Sequence, residues 1–432
     1  MAVVRPGPSA PVTAPVTSLG AEHNPALLGV RCRACGVLQP ADARYVCGEC
    51  LGPIEPDYDT AALARTDLRG TIEAGPQTLW RYAPLLPCRP ASGQWPVGMT
   101  ALVPAPRLGA AIGVPGLMIK DDTRNLTLSF KDRPVAVAAA RAIELGLTTL
   151  ACASTGNLAG AVAAAAARLG MPAFVFVPAD TEPSKVMGAA SYGATVVRVN
   201  GTYDQVNRLC GRLVDELPTW GFVNFTLRPY YAEGSKTMLF EIAEQLGWRL
   251  PDHVIVPVGS GALLTRTATA AAQLVASGLV PEAPMRISAA QPAGCAPVTD
   301  AILDGMRAVR AVRDARTIAR SLAIGAPADG DGSVAVVKRS GGSGASVSDD
   351  EIVAGCELAA TTEGLSVEPA GGVVVATARA MARRGAFRDG ERVVLYLTGN
   401  GYKQGHGDTL SLAPAIAPDA DEFLAAHPTA RP

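Results

Sequence analysis

Lys131 stands in the turn Asn125-Leu126-Thr127-Leu128-Ser129-Phe130-Lys131-Asp132-Arg133, after hydroxyl side chains and before an Ala-rich stretch that reads as a buried helix. An amine at the edge of an apolar cavity loses hydration, which lowers its pKa and makes it nucleophilic toward an aldehyde. Three other turns carry complementary groups. Gly259-Ser260-Gly261-Ala262-Leu263 joins a strand to a helix, and its small residues bare backbone N–H groups that, with the helix dipole, suit a phosphate. Ser154-Thr155-Gly156-Asn157 offers hydroxyls, backbone donors and an amide, suited to a carboxylate or a phenolic oxygen. Thr398-Gly399-Asn400-Gly401 puts one hydroxyl at the end of a buried strand. Each has a plainer reading: most helix-start lysines are solvated, and such turns commonly only cap. Taken together they offer partners to an aldehyde, a phenolic oxygen, a phosphate and a ring nitrogen. Nucleotide motifs fail. Leu264 stands where a dinucleotide loop needs its third glycine, and Gly234-Ser235-Lys236-Thr237 has Pro229 where a P-loop needs its first.

A second constellation is Cys32, Cys35, Cys47 and Cys50, spaced Cys-x2-Cys, eleven residues, Cys-x2-Cys. That is a structural zinc pattern; four thiolates leave no open position for catalysis. The alternative is a degenerate knuckle without metal. Cys88, Cys152, Cys210, Cys295 and Cys356 are scattered and read as core or surface thiols, not a disulfide framework.

The elements that must position these groups follow from the rest of the 432 residues, enough for two catalytic lobes plus small extras. Residues 1–28 are Pro- and Ala-rich and read as a disordered tail, 31–57 as a zinc-ribbon-like knuckle, 58–98 as a connector with some helix, and 413–432 as a loose tail. Between them apolar runs alternate with Ala-rich helical segments. Thr148–Ala153, Ala173–Val177, Thr195–Val199, His253–Val258 and Val393–Leu397 read as strands, each of the first four followed by a helix. This is α/β: parallel sheets with helices on both faces and ligands beyond the carboxyl ends of the strands. The smaller lobe, residues 133–235, is inserted in a larger one.

Net charge is −1, from 38 basic and 39 acidic residues, which advertises neither nucleic acid nor an anionic membrane. No apolar stretch reaches membrane-span length, and Pro6, Pro8, Pro11 and Pro15 break the N-terminus where an export signal needs its apolar core. The expected compartment is the cytoplasm.

Ser129-Phe130-Lys131-Asp132-Arg133 followed by Ser154-Thr155-Gly156-Asn157 resembles the fold type II pyridoxal-phosphate enzymes. Asn200-Gly201-Thr202-Tyr203-Asp204-Gln205-Val206-Asn207, Arg228-Pro229-Tyr230-Tyr231-Ala232-Glu233-Gly234-Ser235-Lys236-Thr237, Ser321–Gly325, Thr398–Lys403 and the cysteine knuckle running into Gly52-Pro53-Ile54-Glu55 are similar to the threonine synthases. The resemblance spans about Cys32 to Lys403. It implies that Lys131 carries pyridoxal 5'-phosphate as a Schiff base. Asn157 would bond the phenolic oxygen, Gly259, Ser260, Gly261, Ala262 and Leu263 cradle the phosphate, and Thr398 face the pyridine nitrogen. Ser154 and Thr155 would take the substrate carboxylate, and Thr226 and Arg228, with Lys236 as the fallback cation, the substrate phosphate.

Four positions depart from the family's usual residues: Ala101, Leu126, Ala262 and Pro369. None removes a catalytic group; together they leave room for a paralogue. The implied reaction is O-phosphohomoserine plus water giving threonine plus phosphate. The rivals are a related enzyme on another activated amino acid (cysteate synthase-like on phosphoserine, or a serine/threonine dehydratase) and, from another class, an inactive zinc-binding module. A homodimer is an open expectation.

Overall fold

The apolar runs become strands because helices cover both faces of the sheets they form. The computed structural model describes residues 24–93 and 96–403, with isolated positions at 415, 418 and 425. The chain opens on an antiparallel ribbon of β1 (Leu27–Cys32), β2 (Leu38–Gln39) and β3 (Ile54–Tyr58), in the order β2-β1-β3. It then lays down β4 (Leu102–Pro104) and β5 (Leu117–Asp121). It leaves to build a second sheet from β6 (Thr149–Ala153), β7 (Ala173–Pro178), β8 (Thr195–Val199) and β9 (Trp220–Phe222), all parallel, in the order β8-β7-β6-β9. It returns with β10 (His253–Pro257), β11 (Arg286–Pro292), β12 (Gly344–Val347) and β13 (Val393–Leu397), giving the order β12-β11-β10-β13-β5-β4. That larger sheet is parallel except for β4, which pairs antiparallel at its edge.

Several bounds differ from the sequence reading. Residues 1–23 of the expected tail lie outside the described residues, but Asn24 is buried, its amide donating to the carbonyls of Ala83, Pro84 and Leu86 at 3.2, 3.0 and 2.7 Å. That anchor fixes the chain before the ribbon begins at Leu27. The stretch 413–432 lies outside the described residues apart from the three single positions. Among the described residues no helix is long and apolar enough to cross a membrane.

The two sheets are joined at one place. The chain leaves the larger sheet through helix Asp132–Glu144 and comes back through helix Arg228–Gly234. These crossings touch: a Cβ on Gly234 would stand 2.5 Å from the Arg133 carbonyl and 2.6 Å from Pro134 Cα, so no side chain fits there. Under this contact lies Arg133, with no exposure to water. Its Nε and Nη2 donate to Asp122 at 2.6 and 2.8 Å, and Nη2 donates to Glu241 at 2.7 Å and to Thr100 Oγ1 at 3.0 Å. Lys120, also fully buried, completes the cluster on Glu241 at 2.7 Å. Burial by itself would raise the Glu241 carboxyl; Arg133 and Lys120 overcome it and hold it at about 2.

Asp122 follows β5, Arg133 opens the first crossing, and Glu241 lies on helix Thr237–Gln245 beyond the second. The cluster therefore closes the fold around the Lys131 turn. Truncating one member strands a buried charge, so Glu241→Ala is expected to lower unfolding free energy by about 3–5 kcal/mol, read by chemical denaturation.

Candidate active site

Lys131 is the residue before the first turn of helix Asp132–Glu144. The loop ahead of it is closed by Asp132, whose carboxylate accepts from the Thr127 N–H at 2.6 Å and hydroxyl at 2.7 Å. Burial raises the Asp132 carboxyl to about 6, against the pull of those two bonds. The loop is stapled to the end of β13: the Phe130 N–H donates to the Thr398 carbonyl at 2.8 Å and the Asn400 N–H to Leu128 at 3.0 Å. Lys131 and Thr398 thus meet because two strand-end turns share backbone bonds. The Lys131 ammonium donates to the Tyr231 hydroxyl at 3.1 Å and lies 4.7 Å from the centre of the Phe130 ring.

Asn157 opens helix Asn157–Leu169, beyond β6. Its amide donates to Glu368 at 2.9 Å. Glu368 is 3% exposed, and its own N–H donates to the Gly399 carbonyl at 3.0 Å, next to Thr398. Burial pushes the Glu368 carboxyl up; the Asn157 bond, Lys403 and Lys131 pull it back. Ser154 follows β6 with its hydroxyl accepting from the Gly156 N–H at 3.2 Å, and Thr155 beside it is half-buried. Asn224 grips the same strand end, bonding the Ala153 N–H at 3.3 Å and carbonyl at 3.2 Å.

The glycine-rich turn follows β10 and opens the 15-residue helix Ala262–Ala276. Gly261 has φ +89°, and a Cβ there would meet Ser333 Oγ at 2.6 Å, so the turn needs glycine. The Asp329 N–H donates to the Ser260 carbonyl at 2.9 Å, fixing the loop from outside.

The three residues expected around a substrate phosphate separate. Thr226 is buried and its hydroxyl finds no partner among the described residues. Arg228 opens helix Arg228–Gly234 with a guanidinium 40% exposed, Nη2 donating to Asp329 at 2.9 Å. Lys236 is not brought to this region. Its ammonium has no exposure and is held by Glu233 at 2.5 Å, Gln273 at 2.6 Å and the Leu85 carbonyl at 3.4 Å. Those acceptors consume its donors, so it is a core cation; burial also lowers its pKa.

Tyr231, Glu368, Asn224 and Asp329 were not singled out from sequence. Tyr231 had one local signal, its position three residues after Arg228 on a short helix. Glu368 had another, a carboxylate directly before a helix-opening proline. Nothing local distinguishes Asn224 or Asp329.

The donor set fits pyridoxal phosphate. It combines a lysine amine with one hydroxyl partner, a glycine-lined helix N-terminus, an amide held by a buried carboxylate, and a hydroxyl-bearing strand end. The family of pyridoxal-phosphate dependent enzymes matches residues 95–399. A threonine synthase of Methanosarcina acetivorans is 33% identical over 373 residues, covering 86% of this chain and 91% of the relative. The chain belongs to the threonine synthases within that family. A threonine synthase of Methanocaldococcus jannaschii is 32% identical over 376 residues, with 86% and 92% covered, and one of Synechocystis is 35% identical over 342, with 78% and 83% covered.

Solved structures bear out the fold type II architecture. Maize serine racemase superposes with a TM-score of 0.59 at 22% identity, over 71% of this chain and 89% of that one. A threonine deaminase of Solanum lycopersicum gives 0.59 at 22%, over 79% and 90%. Like other pyridoxal-phosphate enzymes, the loaded protein is expected to absorb in the near-visible, with borohydride labelling Lys131. Lys131→Ala should abolish both; a label recovered on Lys120 or Lys236 by peptide mapping would refute the assignment.

Proposed function

We propose that the chain catalyses the threonine synthase reaction, turning O-phosphohomoserine and water into threonine and phosphate. One observation carries this reading beyond the family. Tyr231, which meets the Lys131 ammonium, lies three residues after Arg228, so the two side chains leave the helix from neighbouring positions, with Cβ atoms about 5–6 Å apart. A γ-phosphate lies a short chain away from the carbon at which such an amine acts.

The cofactor's phosphate would be held by Gly259–Leu263, its phenolic oxygen by Asn157 and its ring nitrogen by Thr398. Pyridoxal phosphate, when bound, supplies the electron sink for charge leaving the substrate's α-carbon. A hydroxyl facing the ring nitrogen, rather than a carboxylate, leaves that nitrogen largely unprotonated. Glu368 fixes the direction of the Asn157 amide. Ser154 and Thr155 orient the substrate carboxylate. Arg228 grips the phosphate, two N–H groups to two oxygens. Lys131 takes the protons from the α- and β-carbons, held in place by Tyr231. Phosphate leaves the γ-carbon, one proton is delivered there, water adds at the β-carbon, and a proton returns to the α-carbon.

Steady-state phosphate release should favour O-phosphohomoserine over phosphoserine; the reverse preference, or ammonia release from serine or threonine, would point to the rival activities. Arg228→Ala should raise the KM for O-phosphohomoserine about tenfold or more and weaken inhibition by inorganic phosphate, leaving the cofactor spectrum unchanged.

The four knuckle thiols hold a structural zinc in this reading. Their sulfurs all lie within 4.8 Å of one another, as one tetrahedral ion requires. The Ala34 N–H donates to Cys32 Sγ at 3.3 Å and the Glu49 N–H to Cys47 Sγ at 3.4 Å, bonds suited to thiolates. Elemental analysis should find about one zinc per chain, reduced by Cys35→Ser; a metal-free wild type of full stability would overturn it.

A further inference from the structure

The cysteine knuckle does more than pack against the catalytic lobes. Val30, Cys32, Cys47 and Ile54 share an apolar cluster with Val135, Ala138 and Tyr230, on the two crossing helices. On the other lobe, Glu55 of β3 bonds Arg266 at 2.6 Å. The ribbon thus touches both lobes, and one of its side chains reaches the cleft region. Arg33 lies between Cys32 and Cys35, its N–H donating to the Pro53 carbonyl at 2.9 Å. Its Nη2 donates to Asp329 Oδ1 at 3.0 Å, while Arg228 donates to the other oxygen, Oδ2, at 2.9 Å.

We propose that Arg33, presented by the knuckle, is the second cation of the substrate-phosphate site. One carboxylate, itself 8% exposed, holds two guanidiniums side by side, and they remain 32% and 40% exposed. Asp329 is placed by its N–H on the Ser260 carbonyl, and its own carbonyl accepts the Ser333 hydroxyl at 2.8 Å. The arginine pair therefore sits beside the cofactor-phosphate loop, yet on different elements: the ribbon and the second crossing helix.

Charge and donor number fit the assignment. A phosphomonoester carries about −1.5 to −2 at neutral pH; Arg228 paired with Asp329 alone is neutral, and Arg33 restores one net positive charge to the group. Each guanidinium has five N–H donors and spends one of them on Asp329. The remaining donors of both can meet phosphate oxygens, with Asp329 as the spacer that keeps two like charges together when the site is empty of substrate. Metal-held folding of the knuckle then feeds directly into affinity for a phosphorylated substrate.

The proposal rests on the reading that Arg228 binds the substrate phosphate, and the test separates the two. In the holoenzyme, Arg33→Gln should weaken inhibition by inorganic phosphate and raise the KM for O-phosphohomoserine, each about tenfold. Arg33→Lys, which keeps a point charge, should recover part of the loss. The cofactor's spectral response to L-serine, which has no phosphate, should match wild type in both variants. Three results overturn the assignment of Arg33: phosphate inhibition unchanged in both variants while Arg228→Ala weakens it; a parallel loss of the serine response, which marks a general collapse of the site; or a loss in Arg33→Gln that Arg33→Lys does not relieve. If Arg228→Ala itself leaves phosphate inhibition untouched, the underlying placement of the phosphate fails and the Arg33 assignment falls with it.

Discussion

A guanidinium that water cannot reach must find its counter-charges within the protein, and Arg133 finds them on either side of it in the sequence. Asp122 comes from the end of a strand laid down before the smaller sheet, and Glu241 from a helix formed after it. The Asp122 pairing is local, eleven residues along the chain, but the Glu241 pairing forms only once the chain has gone out and come back. The arrangement is strict because a half-made version leaves a buried charge, which costs far more than the finished cluster gains. Arg133 is two residues from Lys131, so closure of the whole fold, together with the Thr127–Asp132 bonds of its own loop, sets the position of the Lys131 amine.

Around that fixed point the groups proposed to hold the cofactor arrive by a general property of parallel sheets. β6, β10 and β13 run the same way as their neighbours, and their carboxyl ends carry Ser154–Asn157, Gly259–Leu263 and Thr398. Strand ends leave backbone N–H groups, small residues and hydroxyls unclaimed, and helix N-termini add a positive field. This made the site legible in the sequence. Two of these turns stood between an apolar run and a helical segment and the third closed an apolar run, so both the architecture and the candidates could be read from pattern.

What could not be read was set by neighbours distant in sequence. Lys236 and Arg228 are eight residues apart in one motif, and nothing local says which faces a ligand. The structure sinks Lys236 among Glu233, Gln273 and a backbone carbonyl, and leaves Arg228 part-exposed. Glu368 was hidden in the same way. It bonds Asn157, which is 211 positions earlier in the chain, and only the approach of two helix starts makes it part of the site. The N-terminal boundary was missed because a single side chain, Asn24, ties down a stretch whose composition suggests none. Composition reports averages; one buried amide is enough to override it.

The contact between Gly234 and the Arg133–Pro134 backbone has a mechanical meaning. Both passages of the chain between the lobes run through that spot, so a rotation of the smaller lobe about it would strain the chain less than a translation. In a body that swings, displacement grows with distance from the axis. Lys131 adjoins that contact in the sequence, whereas Ser154 and Asn157 lie beyond β6, with Asn157 tied to Glu368 of the larger lobe. Such a rotation would shift the Ser154–Asn157 turn relative to the Lys131 amine and would have to break the Asn157–Glu368 bond.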